Sequence, residues 1–196
     1  TKAFKSLLAA MDGEGAVTEF EALSESDALD FLFSFGRVFA GQLDEERHQD
    51  VLESLRAMKE IQLHNGEAGC HRYILSNCSG AYHIAVLHAM AKASGWEGAL
   101  TMDLVPLFES IQDLDGARAE MAKLYTHPVY ASHLDKRQGD QTVMLGFSDG
   151  TSTQCSAKTT SQSSTREATI STLASPRPWP LSRCLVHLPA CSRPRL

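Results

Sequence analysis

The sequence predicts an α/β fold in which parallel strands alternate with helices. Three short apolar runs have the length and composition of buried strands: Arg72-Tyr73-Ile74-Leu75-Ser76-Asn77, residues 101–109, and residues 142–148. Stretches of helical periodicity separate them, so the strands recur at roughly 30 to 40 residues apiece, near the repeat of a βα barrel unit. Each run ends in a polar side chain or a turn. Strand–helix–strand units of this length give parallel strands. The spacing suits a partial (β/α)8 TIM barrel occupying residues 67–151, preceded by a helical segment over residues 1–66 and followed by a disordered tail over residues 152–196.

Composition narrows the class. The chain has 196 residues, 43% of them hydrophobic, enough for one ordinary core. No run approaches the roughly 18 apolar residues of a membrane span, and the first residues do not lead into a secretory signal, so a soluble cytoplasmic protein is expected. The formal net charge is -6, and the part before residue 150 is the more acidic, because Lys158, Arg166, Arg177, Arg183, Arg193 and Arg195 face only Glu167 beyond it. That balance argues against a nucleic-acid partner. The five cysteines include no C-x-x-C pair, which excludes a disulfide framework and a zinc signature. The eight histidines include no H-E-x-x-H and read as structural or surface residues.

The elements follow in order. Lys5 to Met11 forms a short helix, and Asp12-Gly13-Glu14-Gly15 reads as a solvated turn. From Ser24, capping side chains and early acids open a helix with Leu29, Phe31, Leu32, Phe35 and Phe39 on one stripe, ended by Gly41. Asp44-Glu45-Glu46 opens the next helix, whose stripe of Val51, Leu52, Leu55, Met58, Ile61 and Leu63 runs to about His64. The two are expected to form a hairpin over residues 24–64. The first strand leads into a helix over residues 81–94, ended by Gly95. In the second strand Pro106 cannot donate to a ladder, which predicts a bulge or a strand end there. A helix from Ile111 to about Tyr125 follows, with a second short helix after Pro128.

In a parallel arrangement Asn77, Glu109 and Asp149, which close the three strands, share one rim. Two carboxylates and an amide make an oxygen-rich site of the kind that holds Mg²⁺ or Mn²⁺. The plainer alternative is a helix cap and a turn. A dinucleotide fold competes poorly, since Asn77-Cys78-Ser79-Gly80 has a single glycine where a G-x-G-x-x-G turn is needed.

Two long motifs carry a resemblance. Val105-Pro106-Leu107-Phe108-Glu109, followed some forty residues later by Val143-Met144-Leu145-Gly146-Phe147-Ser148-Asp149, resembles the phosphoenolpyruvate carboxylase family, of the bacterial type, in motif order and near spacing. The strand at residues 72–77 and Asp113-Leu114 are similar as well. The resemblance implies a lyase with a TIM-barrel fold, cytoplasmic and homo-oligomeric when full length. It would join bicarbonate to phosphoenolpyruvate, giving oxaloacetate and phosphate, and so fix carbon for the tricarboxylic acid cycle. It implies Mg²⁺ or Mn²⁺ held by Glu109 and Asp149.

The departures are as specific as the match. Where the family carries a Lys shortly after the Asp, this chain has Ser152, and the family's glycine-rich segment with an essential His, its H-G-R-G-G segment and its substrate-binding arginines are missing from the sequence. The expectation is therefore an internal section of a much longer enzyme, inactive alone. The tail turns Ser/Thr-rich and then Pro/Arg-rich, as in Ser175-Pro176-Arg177-Pro178-Trp179-Pro180. One alternative is a non-enzymatic interaction protein that uses the hairpin and this basic tail. The composition break predicts a reading frame that leaves the family's near codon 152. Resequencing across that codon is expected to reveal a family-like continuation in a shifted frame, and a continuous transcript without one in any frame contradicts it.

Overall fold

The structure is a computed structural model that describes residues 1–146. Four helices come first: α1 (Lys2–Asp12), α2 (Glu14–Glu21), α3 (Glu25–Ser34) and α4 (Glu46–Asn65). A 3₁₀ turn at Glu67–Gly69 leads to β1 (Arg72–Leu75), α5 (Ala81–Ala93), β2 (Asp103–Phe108), α6 (Ile111–Thr126), α7 (Pro128–Lys136) and β3 (Met144–Leu145). The strands are parallel and lie in chain order, β1-β2-β3. No helix among the described residues is long and apolar enough to cross a membrane. The tail expected to be disordered, residues 152–196, lies outside the described residues.

The N-terminal region departs from expectation in three ways. The acidic stretch at Asp12–Gly15 is a break of one residue: only Gly13, at φ 87°, leaves the helical region, and Glu14 and Gly15 begin α2. Phe20 on α2 is buried edge-on against Phe4 of α1, with ring centroids 5.4 Å apart, which gives this short helix its apolar anchor. Helix α3 starts as expected, with the Ser24 hydroxyl accepting the Asp27 N–H at 3.2 Å. It stops at Ser34 rather than near Gly41, because the backbone turns away there to pair with the end of α5: the Phe39 N–H donates to the Ala93 carbonyl at 2.8 Å. Phe31, expected on the inward stripe, is 37% exposed.

The expected hairpin of residues 24–64 is replaced by another arrangement. Helix α3 packs on α5, and α4 packs on α1 and α5. The reason is α5 itself, which has ten of its thirteen residues buried and only Tyr82, His83 and Lys92 partly exposed. A helix of that kind competes for every apolar stripe nearby. Leu52, Leu55 and Met58 of α4 are buried, whereas Ile61 and Leu63 in its last turns are exposed.

Pro106 lies inside the central strand, and β2 runs through it without ending. Backbone direction explains why this is tolerated. Odd-numbered residues of β2 face β1, as the bonds from Asp103 N–H to the His71 carbonyl and from Cys78 N–H to the Leu107 carbonyl establish. Even-numbered residues face β3, as in the bond from Gly146 N–H to the Phe108 carbonyl. The missing Pro106 donor therefore falls on the β3 side, just before the β3 ladder begins at Leu107↔Met144. There the Gln141 side chain takes its place: Nε2 donates to the Leu104 carbonyl at 3.0 Å and to the Thr142 carbonyl at 2.8 Å. Gln141 Oε1 in turn accepts the hydroxyl of the fully buried Tyr130 at 2.7 Å. The Leu104 and Thr142 carbonyls beside the proline thus each receive a donor.

Two histidines are buried in the same core, His88 on α5 and His133 on α7, at 3% and 6% exposure. Their Nδ1 atoms have no hydrogen-bond partner among the described residues. Burial pushes the His88 imidazole down to about 3 and that of His133 to about 4. Between those values and the ordinary value near 6.5 the unfolded chain binds protons that the folded chain refuses. Stability is then complete above about pH 6.5 and falls as the pH drops below it, by about 2 kcal/mol per histidine at about pH 5. Denaturant unfolding at about pH 7.5 and about pH 5 is expected to show this loss, and His133→Gln is expected to reduce the difference; equal stability at both pH values contradicts it.

Candidate functional site

The C-terminal ends of the three strands converge on Glu109. This residue directly follows β2, and its Oε2 accepts the backbone N–H of Asn77 at 3.2 Å, from the turn that follows β1. Asn77 reaches that position with φ 51°, a left-handed conformation that asparagine tolerates better than most residues. The Cys78 N–H and the Leu107 carbonyl pair at 3.1 Å alongside, so the β1 turn is fixed to the end of β2 by two bonds.

From the other side comes Gly146, immediately after β3. Its N–H donates to the Phe108 carbonyl at 2.8 Å, which brings its Cα against Glu109. A Cβ at 146 would lie 2.9 Å from Glu109 Cγ and 3.1 Å from Glu109 Cα, closer than packed atoms allow. Glycine is required here for space, since its φ is not in the left-handed region. Glu109 is thus held by β1 on one side and by β3 on the other, half-buried, with its Oε1 free of partners among the described residues.

The neighbouring polar groups are committed to the scaffold. Ser110 and Asp113 form a reciprocal capping box at the start of α6, with the Ser110 hydroxyl accepting the Asp113 N–H at 3.0 Å and the Asp113 carboxylate accepting the Ser110 N–H at 3.3 Å. The Glu120 carboxylate accepts the Ala81 N–H at 2.9 Å at the start of α5, and Lys123 joins Glu120 to Glu25 at 2.7 Å and 2.5 Å. Gly80 leaves room for that carboxylate. Cys78 is fully buried, and burial pushes its thiol up to about 11, which removes it as a nucleophile.

The family profile of phosphoenolpyruvate carboxylase matches residues 2–162. The chain belongs to the phosphoenolpyruvate carboxylase family. The phosphoenolpyruvate carboxylase of Xanthomonas campestris pv. campestris (strain 8004) is 31% identical over 120 residues, covering 60% of this chain and 13% of that protein. That of Nitrosomonas eutropha is 38% identical over 106 residues, covering 52% of this chain and 11% of that protein, and that of Gloeobacter violaceus is 32% identical over 107 residues, covering 53% and 11%. The chain therefore matches only about an eighth of the length of such relatives.

Within this carboxylase segment, the structure brings Asn77 and Glu109 together through the main chain of one and the carboxylate of the other. Asp149 and Ser152 lie outside the described residues. No group of three or more His, Cys, Asp and Glu side chains suited to a metal ion occurs among the described residues. Sequence reasoning missed the part played by Gly146. The signal was present, because a glycine inside an apolar strand pattern marks a place where another backbone approaches closely. The part played by Glu120 at the start of α5 had no sequence signal, since it depends on how α6 lies beside α5. Gly146→Ala is expected to cost about 1–3 kcal/mol by overpacking against Glu109, with Gly146→Val costing more. Urea unfolding of the variants measures this, and stability unchanged in both contradicts the close approach.

Proposed function

We propose that this chain is the segment of a phosphoenolpyruvate carboxylase that carries its divalent-metal carboxylates, and that it does not turn over alone. In this reading the β1-β2-β3 sheet is three successive strands of a (β/α)8 barrel, and Glu109 and Asp149 are the metal ligands on its rim. The observation that carries the reading is the state of Glu109: one oxygen is fixed by the Asn77 N–H and the other has no partner among the described residues. A carboxylate fixed in this way suits a hard cation, which takes one or two protein carboxylates and fills its other positions with water and substrate. Asp149 follows Gly146 by three residues, a span of at most about 11 Å.

The full-length reaction proposed is the carboxylation of phosphoenolpyruvate by bicarbonate to oxaloacetate and phosphate, an anaplerotic supply to the tricarboxylic acid cycle in the cytoplasm. A bound Mg²⁺ or Mn²⁺ would supply Lewis-acid stabilisation of negative charge on phosphate and enolate oxygens. The chain's own residues orient the site. The Asn77 N–H fixes the rotation of the Glu109 carboxylate, Gly146 lets β3 lie against it, and the buried core under the rim limits its movement.

Ser152 accounts for inactivity in isolation. The resemblance places a lysine at that position, where a cation would face the phosphoryl group, and serine carries no charge to offset the phosphate. The arginines and histidine that the family uses elsewhere are also missing from this sequence. A coupled assay that follows oxaloacetate through malate dehydrogenase and NADH, with phosphoenolpyruvate, bicarbonate and either Mg²⁺ or Mn²⁺, is expected to show no rate above the blank. A rate that Glu109→Gln abolishes overturns the claim of inactivity.

A further inference from the structure

Helix α5 begins without a capping side chain. Its N-cap is Gly80, which has nothing to offer as an acceptor, and no acid stands in its first turn. The first N–H groups of a helix have no partner within it, so a buried helix start needs acceptors from elsewhere. One comes from α6: the Glu120 carboxylate accepts the Ala81 N–H through Oε2 at 2.9 Å. Its other oxygen, Oε1, takes the Lys123 ammonium at 2.7 Å, and Lys123 also reaches Glu25, in the first turn of α3, at 2.5 Å. The carboxylate is therefore held from both sides, and it places negative charge where the α5 dipole is positive.

Gly80 is fitted to this contact. Its φ is 170°, extended backbone open to any residue, so conformation does not call for glycine. Space does, because a Cβ at position 80 would overlap Glu120 Oε2 and lie 2.8 Å from Glu120 Cδ. Earlier in the same turn the Asn77 N–H donates to Glu109 Oε2 at 3.2 Å, and the Cys78 N–H donates to the Leu107 carbonyl at 3.1 Å. The Ser79 N–H goes to Nδ1 of His83 at 3.2 Å, a bond to α5 itself that moves with the helix. The turn from Asn77 to Gly80 is thus pinned at one end to the close of β2 and at the other to Glu120. Asn77 holds φ 51°, a sparsely populated conformation. With its far end released, the turn has less strained arrangements in which the Asn77 N–H leaves Glu109.

We infer that Glu120 is a positioning residue for the Glu109 carboxylate, acting through Ala81, Gly80 and the turn that carries the Asn77 N–H. It works on the start of α5 rather than on the carboxylate itself. Lys123 and Glu25 keep the Glu120 side chain turned toward α5, so a run of alternating charges that begins on α3 ends beneath the rim. The outer members, Lys123 and Glu25, are exposed and add little on their own, which leaves the bond to the Ala81 N–H as the working part. The consequence for metal binding rests on the reading of Glu109 proposed above; the hold on the turn does not.

Amide hydrogen exchange of the full chain, without metal, reads the hold on the turn. Glu120→Leu fills the same space without an acceptor, and Gly80→Ala displaces the carboxylate from the other side. Each is expected to speed exchange of the Asn77 and Cys78 amides roughly tenfold while the Leu55 and Met58 amides of α4 are unchanged. Glu120→Gln keeps an acceptor for the Ala81 N–H and is expected to stay within about threefold of the parent. Mn²⁺ binding reads the consequence: Glu120→Leu is expected to weaken it about fivefold, and Glu120→Gln by less than about twofold. Exchange at Asn77 and Cys78 that Glu120→Leu leaves unchanged, or raises only as much as in α4, overturns the inference, as does equally fast exchange in Glu120→Leu and Glu120→Gln. A turn that loosens as expected, in a chain whose Mn²⁺ binding is indifferent to Glu109→Gln, supports the positioning role and refutes the metal reading instead.

Discussion

Helix α5 has ten of its thirteen residues buried, with only Tyr82, His83 and Lys92 partly exposed, and its neighbours are arranged to cover it. Ala81, Ala85, Ala89, Ala91 and Ala93 are small enough to let neighbours approach closely, while Ile84, Val86, Leu87 and Met90 supply the apolar area. Helices α1, α3, α4 and α6 and the strand β2 all make contact with it. Fixing α5 in this way also fixes the turn that precedes it, and that turn carries the Asn77 N–H to Glu109. The position of the candidate site is therefore a consequence of core burial some distance below it. The start of α5 is completed by the Glu120 carboxylate, which accepts a helix N-terminal N–H and is in turn paired with Lys123.

Local signals in the sequence located most of the elements. The Ser24 cap, the glycines that end α4 and α5, and Pro128 at the start of α7 act through their own backbone and nearest neighbours, so they can be read without knowing the fold. Features that depend on distant partners were not legible. The end of α3 is set by the bond from Phe39 to Ala93, and the loss of the expected hairpin follows from α5 taking the apolar stripe of α3. Helix α2 was hidden because two glycines and two acids in four residues read as a turn, although only Gly13 needs a positive φ. Pro106 was read correctly as lacking a donor, but its consequence depends on which side of the strand the gap faces and on Gln141 filling it.

The rim divides in the same way. The position of Glu109 at the end of β2 was legible from the apolar run and the motif around it, because both are contained in a few consecutive residues. The hold on its carboxylate was not, since that needs the register of three parallel strands. Gly146 connects the two cases: its place in the motif is visible in the sequence, while its reason, contact with the Glu109 backbone and side chain, appears only when β2 and β3 lie side by side. The chain belongs to the phosphoenolpyruvate carboxylase family and matches about an eighth of the length of such a relative.

The account rests on Glu109 being a metal carboxylate held in place by its neighbours. Electron paramagnetic resonance of Mn²⁺ added to the full chain measures this directly, by counting free against bound ion. One Mn²⁺ site is expected, weakened roughly tenfold or more by Glu109→Gln while the far-ultraviolet circular dichroism stays the same. Equal Mn²⁺ binding by the parent chain and the Glu109→Gln variant would contradict it.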